Sequence, residues 1–400
     1  MSSLSAVREE FLAVARDRER AGLLAAYALL FVVTDAYAQV LPLHYRAVGV
    51  SIAALGVAKS VANAVEAAAS TPVGILADEG DRAAVAVATG GVMAVVLAAF
   101  PFAASAVTLG ALVVAYAAAR LAFGVAATPL LSESFADGSE GVGWAVRDVG
   151  IYAGGAVGTA GAGVVVARVA GVAPVFLALV PAALALVAVL AYTHRPTWDL
   201  GVSRRDLLAG WPPNPVASIR AISRPRVLAR FLAVKLLGGL GWGLSMFLLP
   251  VYAVDLGVAA SAFLLAFGAA HVASIPFTLV GGMLTDRLDR KRLFVGNYAI
   301  KVAMLGTFAL AGGAPLFAVG LSLFVVQTTF EPAVLAYFFD QFDDDESGRA
   351  WGVTGTVARG VGVVAPAAGA AIYEVEPGLT FGAGAAAMAG ATLVALTLPD

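Results

Sequence analysis

The 400-residue chain has no cysteine, only three histidines and only 13% charged residues. Without cysteine there is neither a structural disulfide nor a thiol nucleophile, and the redox compartment stays open. His44, His194 and His271 are too scattered along the chain to make a Ser/His or His/Asp catalytic cluster. No H-E-x-x-H, C-x-x-C, phosphate loop or nucleophile elbow is present. These absences argue against bond chemistry. No enzyme activity, cofactor, metal or nucleic-acid partner is expected.

Polar surface is scarce as well. With 60% hydrophobic residues and a mean hydropathy of +0.88, a chain of this length cannot cover itself in water. Strand alternation is missing, which removes the transmembrane β-barrel. What is present are apolar runs of about 20 residues, the length that spans a hydrocarbon core as helix. They recur from Ala21 to Leu398. The fold class is therefore an all-α polytopic membrane protein. Twelve spans are expected, at 21–43, 50–77, 83–103, 107–131, 148–167, 172–193, 229–253, 258–285, 292–311, 315–339, 352–373 and 378–398.

The charges that exist are unevenly placed. Residues 1–20 hold eight of them and no small-residue cleavage site, so no cleavable signal peptide is expected. Leu4, Val7, Phe11 and Val14 share one helical face there, which suits a short amphipathic helix on the membrane surface. With the N-terminus inside, the inner segments together with the inner ends of the spans hold 18 Lys and Arg, and the outer loops only Arg46 and Arg168. The positive-inside rule then puts both termini in the cytoplasm of a multi-pass cell-membrane protein. Residues 195–228, rich in Pro and Arg, read as a cytoplasmic linker between a six-helix half at 21–194 and another at 229–400.

Internal matches support that division. "GILADEGDR" at Gly74–Arg82 and "GMLTDRLDR" at Gly282–Arg290 share the skeleton G-x-L-x-D-x-x-D-R, 208 positions apart. Pro42 and Gly49 pair with Pro250 and Gly257 in the same way. Phe135, Asp137, Gly141 and Trp144 pair with Phe342, Asp344, Gly348 and Trp351. Three matches at offsets of 207–208 point to a duplicated architecture. Duplicated halves are a known transporter design, with the substrate handled between them.

On these residues the chain resembles the major facilitator superfamily over essentially its whole length. That family's signature between helices 2 and 3, G-x-L-a-D-r-x-G-r-k, is matched at Gly282, Leu284, Asp286, Arg287, Arg290 and Lys291. The first copy keeps Gly74, Leu76, Asp78 and Arg82, with Glu79 at the usual basic place. In both copies an aspartate, Asp81 or Asp289, replaces the second glycine. The resemblance implies that Asp78 and Arg82 latch the halves on the cytoplasmic side; the alternative is a solvated turn. "ARLAFG" is similar to the R-x-x-x-G motif at Arg120 and Gly124, and Gly150, Gly154 and Gly158 to the antiporter signature of helix 5. Gly155 stands at that signature's proline. Close packing alone also explains such glycines.

Ionisable groups inside spans are costly, roughly 2.5–3.5 kcal/mol each at the centre, so each should face a partner or a watery cavity. Lys59, Asn63, Glu66 and Ser70 form one polar stripe on the second span, and Phe267, His271, Ser274 and Thr278 a corresponding one on the eighth. Asp35 and Gln39 share a face of the first span, and Asp35 is expected to pair with Arg120. Glu331 and Arg359 are expected to pair at a common depth, with Lys235 as a third member. Lys301, on an outer support helix of the family, reads as a peripheral lysine. Gln327 completes the substrate-cavity candidates, which are Gln39, Lys59, Asn63, Arg120, Lys235, His271, Gln327, Glu331 and Arg359. Asp35 is the first candidate for a coupling-proton carrier and Glu66 the second; ordering of a helix contact is the other role open to Asp35.

The function these features suggest is secondary active transport of a small organic solute by alternating access. A proton gradient is the expected drive, export ranks before uptake, and a monomer suffices. Uptake symport, uniport, and a scaffold or sensor without flux remain the alternatives.

Overall fold

The computed structural model describes residues 17–134, 140–169, 171–198, 225–342 and 344–399. The surface helix expected within 1–20 and most of the linker at 195–228 lie outside them. The described residues form twelve helical rods. The first six are α1 (Arg18–Ala47), α2 (Ile52–Glu79), α3 (Arg82–Ala99), α4 (Ala106–Glu133), α5 (Glu140–Val169) and α6 (Ala173–His194). The second six are α7 (Pro225–Asp255), α8 (Ala260–Thr285), α9 (Arg290–Ala309), α10 (Ala314–Phe339), α11 (Asp344–Val375) and α12 (Pro377–Leu396).

Among the described residues ten of the twelve are long and apolar enough to cross a membrane. The two that fall short are α9 and α11. The first opens on "RKR" and carries Lys301, and the second opens on "DDESGR" and carries Arg359. Several rods also run past the ends expected for them: α5 starts at Glu140, α7 at Pro225 and α11 at Asp344. Polar turns that cannot cross a bilayer still hydrogen-bond as helix once they leave it.

Local chemistry sets the ends and breaks. Asp17, Ser51, Asp81 and Asp289 cap α1, α2, α3 and α9 by accepting from free backbone N–H groups of the first turn. The tight turns after α1 and α7 close on Gly49 (φ 74°) and Gly257 (φ 83°). Both need the left-handed backbone that glycine adopts freely. The two copies of the repeat thus share a turn geometry. α7 tightens into a 3₁₀ turn at Met246–Leu248, and α10 breaks between Gln327 and Glu331. Each break lies just before a proline, Pro250 or Pro332, which cannot donate to the carbonyl four residues back.

Each half is packed by aromatic rings. In the first, Tyr37 stacks on Tyr116 at 3.9 Å and Phe100 on Phe176 at 4.7 Å. In the second, Phe231 meets Phe294, Tyr337 and Phe338. The halves meet along two antiparallel seams, α2 on α11 and α5 on α8, while α1 packs on α5 and touches the end of α7.

Candidate functional site

Small residues let the seams close. A Cβ on Gly56 would lie 2.7 Å from the Pro366 carbonyl oxygen, and one on Gly268 would lie 2.9 Å from the Ala160 nitrogen. On α5, Gly154 and Gly158 press against the Ala28 and Val32 carbonyls of α1. Only glycine permits helix backbones to approach so closely. Toward the other end of the molecule the two signature glycines are loose: nothing lies within 4 Å of a Cβ on Gly74 or Gly282. The halves are joined at the end that carries Arg46 and diverge toward the end that carries Arg82.

Polar contacts follow the same gradient. At the Arg46 end, Arg46 of α1 is ion-paired with Asp255 of α7, which also accepts from Tyr373 of α11. The Ala53 amide donates to Glu374 at 2.9 Å. Deeper in the α2–α11 seam the Ala367 amide donates to Ser60 Oγ at 3.1 Å, and Asn63 donates to the Gly362 carbonyl. At the Arg82 end the described ion pairs stay within one half. Arg82 binds Glu133 of α4, and Arg290 binds Asp340, the residue just after α10, at 2.6 Å. Arg82 also donates to the Ala77 carbonyl at 3.1 Å, and Arg290 to that of Thr285 at 3.4 Å. Asp286 and Arg287 are exposed, and the Asp78 side chain is outside the described residues.

Midway along the α5–α8 seam a different contact crosses the halves. His271 Nε2 of α8 lies 3.1 Å from Asp35 Oδ2 of α1. Asp35 therefore pairs with His271, and the expected Asp35–Arg120 pair is absent. Gly155 explains why the contact fits. A Cβ there would stand 2.2 Å from Asp35 Oδ2 and 2.8 Å from the His271 ring. The residue that departs from the antiporter signature is the one that makes room for the bridge.

Arg120 instead donates to Glu66 at 2.8 Å, within the first half. Lys59 lies over the Phe247 ring at 5.6 Å, beside the 3₁₀ turn of α7. In the second half the expected Glu331–Arg359 pair is replaced by Lys301–Glu331 at 2.7 Å. Lys301 is no peripheral lysine: its side chain is 12% exposed and its ammonium faces the Trp242 and Tyr298 rings. The break in α10 turns Glu331 toward α9 rather than α11. Lys235 lies in the electrostatic field of Glu331 and Lys301, while Arg359 is exposed. Gln39 and Gln327 each bury an amide oxygen with no hydrogen-bond partner among the described residues. The Arg46–Asp255 clasp and the inward-facing Lys301 had no signature in the sequence; the repeated Leu-Pro turn, present at one copy as "LPLHY" and at the other as "LPVY", was the nearest signal for the clasp.

Two membrane-spanning halves, fastened at one end and parted at the other around interior charges, form a carrier architecture. The family model described as Major Facilitator Superfamily matches residues 23–366. The chain belongs to the major facilitator superfamily. It is a multi-pass membrane transporter of a small-molecule substrate and not an enzyme. Among solved structures, a crystal structure of a mutant of the nucleoside transporter NupG aligns with a TM-score of 0.74 at 12% identity, covering 96% of this chain and 99% of that one. A second NupG crystal structure aligns at 0.71 and 13%, covering 94% and 97%. At such identities the likeness concerns the fold. No curated protein matches the sequence.

Proposed function

We propose that this major facilitator protein is a proton-coupled secondary transporter of a small organic solute, with the proton held between Asp35 and His271. One observation carries the reading, the bridge of 3.1 Å between the halves. His271 Nδ1 lies 3.0 Å from the Phe267 carbonyl oxygen, which can only accept, so Nδ1 carries hydrogen. Nε2 then faces a carboxylate oxygen. A bare lone pair there would repel Asp35, so the bond requires one further proton, on Nε2 or on Oδ2. Whichever atom holds it, the bridge exists only while the proton stays.

Loss of that proton turns attraction into repulsion and loosens α1 from α8, which favours opening at the Arg46 end. The groups facing the pair set how firmly the proton is held. Tyr116 of α4 and Tyr152 of α5 lie in the field of Asp35; Arg120 also acts on Tyr116, and Asp148 and Glu331 on Tyr152. By the positive-inside rule the Arg82 end is cytoplasmic, so this conformation faces inward, in the cell membrane, with both termini inside. The interior carboxylates, amides and cations between the halves would take the solute. Export in exchange for protons is the direction we assign. It is supported by the glycine run that packs α5 directly on α1, where Asp35 sits.

The test is transport in vesicles, with a solute first identified by its stabilisation of the purified protein. A pH gradient should drive accumulation by the parent protein. Asp35→Asn keeps the shape and removes the titration, so gradient-driven accumulation should vanish while binding and solute exchange persist. Accumulation by Asp35→Asn at the parent rate would refute the proposal.

A further inference from the structure

The α2–α11 seam has a regular register. Gly56 lies against Pro366 and Ala370, Ser60 bonds the Ala367 amide, and Asn63 bonds the Gly362 carbonyl. From Gly56 to Asn63 on α2, toward the Arg82 end, the partner on α11 runs back from Ala370 to Gly362, seven residues against eight. Continuing it by one turn sets Arg359 opposite Glu66 and Ala67, where the halves diverge. Glu66 is already bonded to Arg120, whose side chain is 48% exposed and which spends one terminal nitrogen on that bond. Lys59, two turns up α2, feels both of them and has a ring rather than a carboxylate beside it. Closing the Arg82 end would therefore press three cations, Lys59, Arg120 and Arg359, around one carboxylate. Among the described residues, the one acid deep within the second half's spans, Glu331, is bonded to Lys301 and shares its field with Lys235. Cations brought out of water without counter-charge repel strongly.

We infer that the transported solute is an organic anion, and that its negative charge is what allows the gap between Glu66–Arg120 and Arg359 to close. This rests on the alternating-access reading above, and not on the proton site. An empty carrier is held open at the Arg82 end by unbalanced positive charge. A solute bearing a carboxylate or phosphate, seated between the Arg120 and Arg359 guanidiniums, supplies the missing charge, and both guanidiniums can grip it through paired N–H donors. The loaded carrier then continues the seam and occludes.

The experiment places spin labels at Glu79→Cys and Leu288→Cys, on exposed turns of opposite halves at the Arg82 end, in a chain with no native cysteine. Distances are measured in nanodiscs of uncharged phosphatidylcholine, so that no anionic headgroup can serve as the ligand. Without solute, the parent and Arg359→Lys should show the long distance. Arg359→Gln should move part of the population to a short distance, and Arg359→Glu most of it, because reversal supplies the charge that the solute would bring. An Arg359→Glu distribution identical to the parent's overturns the inference. Benzoate and phenyl phosphate should shorten the parent's distance, whereas benzylamine and benzyl alcohol should not. Shortening by benzylamine with none by the two anions overturns it equally. If none of the four acts, the Arg359 series alone decides. These distances do not involve Asp35 or His271, so their failure leaves proton coupling standing, and failure of the Asp35→Asn test leaves the anion reading standing.

Discussion

The two seams between the halves are copies of one another, yet they are fastened by different chemistry. His271 on α8 stands 208 positions after Asn63 on α2, and Gly362 on α11 stands 207 after Gly155 on α5. Each seam thus places a polar side chain against a glycine of the opposite half at the same level. On α2–α11 the polar group is an amide that donates to the Gly362 carbonyl, a bond that no pH change in the physiological range can alter. On α5–α8 it is an imidazole that reaches past Gly155 to a carboxylate. The copies share the geometry, and a single difference, Asn63 in one and His271 in the other, separates an amide bond from a titratable imidazole. Under the proposed proton coupling, Asn63 would serve as the pivot of the rocking carrier and His271 as its release.

The largest effect should come from filling the glycine at each seam. Gly155→Ala puts a methyl 2.2 Å from Asp35, with the backbones of α1 and α5 already in contact, so the bridge must break. Overpacking of this kind costs about 1–3 kcal/mol. A clear drop in thermal midpoint and loss of pH-driven transport are expected. Gly362→Ala meets only the end of a flexible amide at 3.2 Å and should cost less on both measures. Equal losses in the two variants would break the comparison.

Next in size is an exchange of chemistries. His271→Asn copies the fixed seam onto the titratable one. Transport by the parent should depend on pH, and that dependence should flatten in the variant while its folding, read by thermal unfolding, stays near the parent's. A variant that keeps the parent's pH profile would show that the imidazole is not the titrating partner.

Smaller again is a contrast between the two signature turns. Arg290 binds both oxygens of Asp340, whereas Arg82 binds one oxygen of Glu133. Asp340→Asn should therefore destabilise slightly more than Glu133→Gln. Neither should exceed about 1 kcal/mol in thermal or denaturant unfolding, since both pairs are half-exposed.

The smallest effect concerns the aspartates that replace the signature's second glycine. Asp289 caps α9 through Arg292. Asp81 caps α3 with one oxygen and uses the other to accept from Thr197 and Trp198, which pins the chain as it leaves α6. Partial burial pushes the Asp81 carboxyl upward, but these hydrogen bonds outweigh it and hold its pKa below the ordinary aspartate value. The depressed value means that its stabilising effect is present at neutral pH and is lost as pH falls below about 3.9, the ordinary aspartate range. Asp81→Asn should lower the midpoint slightly at neutral pH, with the gap to the parent closing in acid. A gap that persists unchanged at acid pH would mean that the charge contributes nothing there.

Much of the fold was legible because it depends on composition and repetition along one chain. Apolar runs marked the rods, and the paired Gly49 and Gly257 marked equivalent turns. The faces of single helices were legible too: Lys59, Asn63 and Glu66 do lie on the side of α2 that meets α11 or the gap. Partners were not. Depth along a rod can be counted in residues, but the rotation of one rod against another is set by packing that no periodicity records. Asp35 and Arg120 have similar depths, yet Gly155 opens α5 just where His271 can reach across. Glu331 and Arg359 have similar depths as well, yet Pro332 breaks α10 and hands Glu331 to Lys301. The departure at Gly155 was visible as a missing proline, but its meaning needed the third dimension.

The bridge also has an electrical side. With its proton, the Asp35–His271 pair is neutral overall, whether the imidazole or the carboxylic acid holds it. Without the proton the pair leaves one negative charge in the membrane interior. Moving a unit charge through the full membrane potential is worth about 2.3 kcal/mol per 100 mV. Considered by itself, the protonated pair is therefore indifferent to voltage as the halves rock, and the deprotonated pair is not. A membrane potential acts on this part of the machine in only one of its two protonation states.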